Sequence, residues 1–451
     1  MQIKQFEHKN LSHFSYAILS DCEKEVILID PSRNSEQYIQ FAKDNEATII
    51  GVIETHPHAD FISSHLELHD ELGATIYASK LVEASYPHQS FNEGQQIKFG
   101  KIILSALDTP GHSPDSICVV LEHEGKAKAV FTGDTLFIGD CGRPDLRPGN
   151  SDAKAAAEKL AAQMFYSLRK KLMPLSDETI VYPAHGAGTL CGKALSKANS
   201  STIGYEKKTN WSLKNQTEDE FVKELLSDQP FVPAYFSFDV ELNKKGAAPF
   251  QQNIDAVKMI ESITNEAAAE ALNHKYWIID IRKSDAFKNG HLHHSINLMD
   301  ETKFETWLGS IIKPHEKFYI GADDEDSLIK AIERTASIGY ETQIESSFVI
   351  DYTQTKEEKI NVEEFKNHPD NYTTIDVRNK SEVKEKKPFK NSLSIPLGEL
   401  RENVDKIPVD KQIVVHCASG YRSAAGSSLL QSILRNKVKV FDLSDAVKQF
   451  M

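Results

Sequence analysis

The sequence predicts an α/β protein of three domains, spanning residues 1–245, 246–352 and 353–451. Three observations predict it. Short β-rich runs alternate with helical stretches along the first part of the chain. Strand after strand there ends in a His or Asp, which gathers polar atoms along one sheet edge. Two later segments then repeat one pattern.

The 451 residues, 40% hydrophobic and 26% charged, suffice for several buried cores. A net charge of −14 without an offsetting Lys/Arg run excludes a nucleic-acid partner. The opening Met1-Gln2-Ile3-Lys4-Gln5-Phe6-Glu7-His8 lacks the apolar stretch of a signal peptide, and no segment approaches the ~18 apolar residues that cross a bilayer. No membrane partner is expected. Cys22, Cys118, Cys141, Cys191 and Cys417 are scattered with no Cys-x-x-Cys spacing, which is neither a disulfide framework nor a zinc ribbon. Reduced thiols in a cytoplasmic protein are the expectation. A homo-oligomer is the expected assembly.

Glu25-Val26-Ile27-Leu28-Ile29-Asp30-Pro31 reads as a buried strand stopped by proline, and Thr48 to Thr55 as a second that feeds into a histidine cluster. Lys128 to Asp134 is a third with polar residues at its exit. Ser151 to Leu172, rich in alanine, lysine and leucine, reads as a helix. Thr217-Glu218-Asp219-Glu220 is a capping box that opens a short helix. Pro230, Pro233, Gly246 and Pro249 then mark a connection. Beyond it Trp277-Ile278-Ile279-Asp280-Ile281-Arg282 is echoed by Tyr372-Thr373-Thr374-Ile375-Asp376-Val377-Arg378.

His56, His58 and Asp60, then His112, Asp134 and His185, each follow an apolar strand. Imidazoles and carboxylates in that context point to a divalent transition metal. The order His56-Pro57-His58-Ala59-Asp60, Pro110-Gly111-His112-Ser113, Gly133-Asp134 and Ala184-His185-Gly186 resembles the metallo-β-lactamase superfamily. That resemblance implies an αββα sandwich with metal at the sheet edges. Many dinuclear hydrolases of the superfamily carry a further His directly after the Asp. Here Phe61 stands there, and a benzyl group cannot ligate.

Gly133-Asp134-Thr135-Leu136-Phe137-Ile138-Gly139-Asp140-Cys141-Gly142-Arg143-Pro144-Asp145, together with Ser201-Thr202-Ile203-Gly204-Tyr205-Glu206, resembles the persulfide dioxygenases. By that resemblance His56, His112 and Asp134 hold one Fe(II) per chain, the two-His-one-carboxylate set of non-haem iron oxygenases. His58, Asp60 and His185 then orient ligands, hold waters or offer a weak second site. Arg143 is either an anion-recognising residue or the partner of Asp140 or Asp145. Cys191, six residues after His185, either carries sulfur or lines the site, and Cys141 reads as structural.

Val414-Val415-His416-Cys417-Ala418-Ser419-Gly420-Tyr421-Arg422-Ser423 is a strand, a short loop and a helix start. Loop amides and the helix N-terminus aim at the thiol and favour an anion there, and Arg422 adds charge. With four residues between Cys417 and Arg422, the loop resembles a rhodanese sulfurtransferase in which Cys417 carries a persulfide, with Ala418, Ser419, Gly420, Tyr421 and Ser423 around the sulfur. The earlier repeat keeps the rhodanese frame in Asp280-Ile281-Arg282, Phe287 and Gly290-His291-Leu292-His293-His294-Ser295-Ile296-Asn297. Its loop position, Ala322-Asp323-Asp324-Glu325-Asp326, has no cysteine, so this unit is a spacer, docking or oligomerisation module. The last unit departs at Pro388-Phe389-Lys390-Asn391-Ser392-Leu393 instead.

The function these resemblances imply is oxidation of a low-molecular-weight persulfide by O₂ to sulfite, coupled to thiosulfate formation at Cys417, as in sulfide detoxification. The alternatives are a zinc thioester hydrolase of the glyoxalase II kind and a non-catalytic sulfur-carrier scaffold.

Overall fold

The computed structural model describes residues 1–144, 153–193, 195–435 and 437–450. The chain divides into two compact units: Met1–Val232 with Phe236–Phe250, and Pro233–Tyr235 with Gln251–Met451.

The first unit is built on two six-stranded sheets, each in chain order. One holds β1 (Gln2–His8), β2 (His13–Ser20), β3 (Glu25–Ile29), β4 (Thr48–Ile53), β5 (Thr75–Ala78) and β6 (Gln89–Ser90). The other holds β7 (Gln96–Phe99), β8 (Ile102–Asp108), β9 (Ile117–His123), β10 (Lys126–Gly133), β11 (Ile180–Pro183) and β12 (Ser201–Thr202). Side chains alternate faces along a strand, and β2 is buried along its whole length. Tyr16 and Ile18 therefore join Ile27, Ile53, Val119 and Phe131 in the core that both sheets share. Ala17 and Leu19 point the other way, against Tyr38, Phe41 and Leu68 of flanking helices. On the second sheet Val120, Val130 and Val181 pack against Met164, Leu168 and Phe221. Helix, sheet, sheet, helix is the result. Each such aliphatic side chain contributes roughly 1.5–3 kcal/mol by its burial.

The elements read from sequence lie close to where the chain forms them. The strands predicted at 25–31, 48–55 and 128–134 are β3, β4 and β10. The predicted helix from Ser151 runs over Ala153–Ser167 and continues as a π-helical turn, Leu168–Leu172; Ser151 lies outside the described residues. The capping box forms, with Thr217 Oγ1 accepting from the Glu220 amide and the Glu220 carboxylate accepting from the Thr217 amide at 2.8 Å.

The second unit holds two four-stranded parallel sheets. One is ordered β14-β13-β15-β16 from β13 (Trp277–Asp280), β14 (Ser295–Asn297), β15 (Phe318–Ala322) and β16 (Ile344–Val349). The other is ordered β18-β17-β19-β20 from β17 (Tyr372–Asp376), β18 (Leu393–Ser394), β19 (Gln412–His416) and β20 (Val440–Asp442). The repeat extends to hydrogen-bond detail. Arg282 grips Asp280 with Nε–Oδ1 2.9 Å and Nη2–Oδ2 2.7 Å, and Arg378 grips Asp376 at the same two distances. Each Nη2 also donates to a carbonyl eight residues on, Gly290 at 2.9 Å and Lys386 at 2.8 Å. The departure at 388–393 thus leaves the frame of the last domain whole. Among the described residues no helix is long and apolar enough to cross a membrane.

Candidate metal centre and sulfur-transfer loop

The β4 exit carries His56, His58 and Asp60, the turn after β8 carries His112, the β10 exit carries Asp134, and the β11 exit carries His185. All six side chains are buried. Ligand atoms of His56, His112 and Asp134 lie within 4.8 Å of one another. His56 Nε2 is 3.9 Å, and His112 Nε2 3.5 Å, from Asp134 Oδ2.

Neighbouring bonds set which nitrogen faces inward. Thr55 Oγ1 donates to Asp30 at 2.8 Å, so it can only accept from His56 Nδ1 at 3.0 Å. His112 Nδ1 donates to the Arg143 carbonyl at 2.7 Å. Both Nε2 lone pairs are left free for a cation, and orienting bonds of this kind fix ligand imidazoles. Burial above all, then His58, holds His56 well below the usual imidazole range, so the ring is neutral. Asp134 Oδ2 is buried and has no hydrogen-bond donor. These residues fit a divalent metal: two imidazole Nε2 atoms and one orphaned carboxylate oxygen converge.

The other three polar groups are directed elsewhere. His58 Nε2 turns to Asp30 Oδ1 at 3.2 Å. His185 spans two carboxylates, with Nδ1 2.8 Å from Asp134 Oδ1 and Nε2 2.9 Å from Asp60 Oδ2. Burial opposes its charged form, but Asp134 and Asp60 outweigh it and hold the ring above the usual imidazole range. Phe61 is buried with its ring centroid 3.8 Å from that of His13 and 4.3 Å from that of His58. Cys191 forms a second donor group with Asp60 and His185, and burial, then Asp60 and Asp134, push its thiol well above the usual range. Cys141 is likewise buried and pushed up, first by burial and then by Asp140.

The Arg143 guanidinium donates to the Pro230 carbonyl at 2.8 Å. The Asp140 carboxylate is occupied by the Trp211 indole at 2.7 Å and the Lys193 amide at 2.8 Å, and Asp145 lies outside the described residues. The backbone of Arg143 serves the site more directly: its carbonyl orients His112 and its amide donates to the Cys191 carbonyl at 2.9 Å. Gly142 allows that approach, since a Cβ there would stand 1.9 Å from the Asp134 carbonyl oxygen.

Two residues of the site carry no mark in the sequence. His13 packs against Phe61, and the chain around it pins the His185 loop through Phe14 N–Ala184 O at 2.7 Å and Gly186 N–Ser12 O at 2.8 Å. Asn243 Nδ2 donates to the His58 and Phe61 carbonyls, both at 2.8 Å, while its Oδ1 accepts from the Ser63 amide at 2.9 Å. No local spacing marks either residue.

In the second unit Cys417 is buried at the end of β19 under an exposed Ser419. Gly420 adopts φ +106°, a left-handed conformation that turns its amide to Cys417 Sγ at 3.1 Å. The helix Tyr421–Ile433 begins there, and Ser423 Oγ donates to the Gly420 carbonyl at 3.1 Å. The Arg422 guanidinium is clamped by Glu382 at 2.5 and 2.8 Å and lies over Trp307 with 5.8 Å to its centroid. Tyr421 Oη donates to the Met299 carbonyl at 3.1 Å. Met299 and Trp307 belong to the cysteine-less repeat, so that repeat walls the loop of its neighbour. Its own loop region holds Asp323, exposed and 3.9 Å from Arg282.

A helix–sheet–sheet–helix sandwich whose sheet edges gather His and Asp defines a metal-site class of protein. The metallo-β-lactamase superfamily model matches residues 10–185, and the rhodanese-like domain model matches residues 361–450. A metallo-β-lactamase structure from Staphylococcus aureus is 31% identical with a TM-score of 0.68, covering 77% of this chain and 99% of that one. Hydroxyacylglutathione hydrolase GloC of Haemophilus influenzae is 30% identical over 215 residues, 43% of this chain and 90% of that protein. Mitochondrial persulfide dioxygenase ETHE1 of Bos taurus is 27% identical over 243 residues, 54% of this chain and 87% of that protein. The chain belongs to the metallo-β-lactamase superfamily and carries a rhodanese-like domain in its C-terminal part.

Proposed function

We propose that the chain oxidises low-molecular-weight persulfides with O₂ at one Fe(II), held by His56, His112 and Asp134, and forms thiosulfate through Cys417. The observation that carries this reading is the convergence of two imidazole Nε2 atoms and one unpartnered carboxylate oxygen. Iron held by this set would supply the redox chemistry that lets a sulfur ligand react with O₂. Thr55 and the Arg143 carbonyl hold the two imidazoles in register, His185 fixes the Asp134 carboxylate, and Phe61 packs an apolar ring against His58.

The balance is RSSH + O₂ + H₂O → RSH + SO₃²⁻ + 2 H⁺. Cys417 takes sulfane sulfur from a second persulfide, Cys–SH + RSSH → Cys–SSH + RSH. Sulfite then attacks the outer sulfur, giving thiosulfate and the free thiol. The Gly420 amide at Cys417 stabilises sulfur anions at each stage.

The experiment is oxygen uptake by the full chain across glutathione, coenzyme A, bacillithiol and inorganic persulfides, with sulfite and thiosulfate quantified. Uptake with none of them overturns the reading. The likeness to GloC favours a second one, zinc-dependent thioester hydrolysis. Phe61 weighs against it, and metal analysis of protein from unsupplemented medium, paired with a thioester assay, separates the two.

A further inference from the structure

We propose that the second unit carries a binding site for a small organic anion with an apolar body, at the end of the helix Tyr421–Ile433 remote from Cys417. Thirteen residues of helix place the rim at Arg435 roughly 20 Å from the sulfur-transfer loop, and Phe441 on the floor pairs with Val414, three residues before Cys417. A ligand there therefore does not touch Cys417.

The site is a cavity of about 410 Å³, within the roughly 300–1,000 Å³ of small-molecule pockets. Three segments enclose it: the histidine-rich stretch after the helix Ser284–Asn289, the connection at Thr355–Glu358, and the chain from Gln431 into β20. Its floor is buried and mixed. Val440 and Phe441 offer apolar surface, and His291 lies beside them. His291 Nδ1 donates to the Phe287 carbonyl at 3.0 Å, which leaves Nε2 of the neutral ring as an acceptor.

The rim is cationic. Lys356, Arg435 and Lys439 are exposed around the mouth. Lys439 is paired with Glu358 at 2.8 Å. Among the described residues no carboxylate pairs with Arg435 or Lys356; the Arg435 guanidinium instead meets His293 Nε2 at 2.9 Å. That is unusual in this unit. Arg282, Arg334, Arg378, Arg401 and Arg422 each hold an acidic partner. Unneutralised cations at the mouth of a concave site, in a chain of net charge −14, concentrate anions there. The remaining wall carboxyl, Glu357, competes weakly, because burial and then Asp442 push it up to about 7. A carboxylate or phosphate at the rim and an aliphatic or ring body on Val440 and Phe441 match the rim cations and the apolar part of the floor.

The test uses the full chain and the fluorescent anion 1-anilinonaphthalene-8-sulfonate as probe. The parent should bind it, and the double variant Arg435→Gln with Lys356→Gln should weaken binding about tenfold or more. Val438→Trp, which fills the cavity, should block binding while thiosulfate formation stays at the parent level. Competition then assigns the source: a nucleoside phosphate displacing the probe marks a phosphate ligand, and a medium-chain carboxylate displacing it marks an acyl one. No binding by the parent, equal binding by all three proteins, or displacement by neither competitor overturns the proposal.

Discussion

His185 donates Nδ1–H to Oδ1 of Asp134 at 2.8 Å and leaves Oδ2 turned toward His56 and His112. One carboxylate thus serves His185 with one oxygen and faces the His56–His112 pair with the other. Asp134→Ala removes the anionic donor and should leave the fold intact but abolish metal binding and oxygen uptake. His185→Ala leaves all three donors and should lower metal affinity about 10–100-fold, with one ion still bound at saturation. Metal content after dialysis against graded chelator separates the two. Equal loss in both variants would make His185 itself a ligand.

Phe61 is buried against His13 and His58, and it follows Asp60 where many dinuclear hydrolases of the superfamily carry a His. Phe61→His should raise the ions bound per chain from one toward two after growth with added zinc, since Asp60, His185 and Cys191 already gather there. A variant that still takes up one ion shows that Phe61 does not set nuclearity.

Asn243 ties the metal-ligand loop with three buried hydrogen bonds, two from Nδ2 and one to Oδ1. Asn243→Ala strands two carbonyls and an amide, each costing roughly 1–3 kcal/mol when left unmet. A loss of about 3 kcal/mol in denaturant unfolding is expected, together with weaker metal retention. An unchanged midpoint would show that water replaces the amide.

The difference between His56 and Asn243 marks what the sequence discloses. His56, His112, Asp134 and His185 are legible because each follows an apolar strand, and a strand end can be read locally. Asn243 lies 180 residues from Ser63, and its partners are backbone atoms that carry no residue identity. The Arg143 carbonyl on His112 is hidden for the same reason. The guanidinium drew attention in the sequence, yet it reaches the Pro230 carbonyl, because a long side chain finds its partner only in the folded chain. In the repeats, Asp280–Arg282 and Asp376–Arg378 were legible as a frame since both partners sit two residues apart. The contact of Trp307 with Arg422 was not, for it joins two repeats.

Glu357 supplies a pH dependence with a definite sign. Burial and then Asp442 push its carboxyl up to about 7 in the folded chain, above its ordinary value near 4.5. A raised carboxyl favours the folded state less as pH climbs from the unfolded value through 7, because only the unfolded chain ionises freely. Glu357→Gln should therefore stabilise the protein by about 1–2 kcal/mol at pH 8 and by almost nothing at pH 4.5. Unfolding midpoints for both proteins across that range check it, and a gain confined to acid pH would reverse the sign.

Cys417→Ser should abolish thiosulfate formation while sparing persulfide oxidation. A hydroxyl cannot hold sulfane sulfur at neutral pH, since a stable persulfide needs a thiolate parent. The Gly420 amide that meets Sγ at 3.1 Å would stay in place, as would the clamp of Glu382 on Arg422, so the loop keeps its shape and loses only its nucleophile. His56, His112 and Asp134 belong to the first unit and Cys417 to the second. Persulfide and O₂ should be consumed as before, with free sulfite accumulating where thiosulfate formed. Asp323→Ala in the cysteine-less repeat should alter neither product, because no nucleophile stands there. If the Cys417→Ser protein still made thiosulfate at the parent rate, transfer would sit elsewhere, and the buried Cys191 beside Asp60 and His185 would be the first suspect. If it lost oxygen uptake altogether, Cys417 would be an obligatory donor to the metal centre, and the order of steps would run from the rhodanese loop to the oxidation.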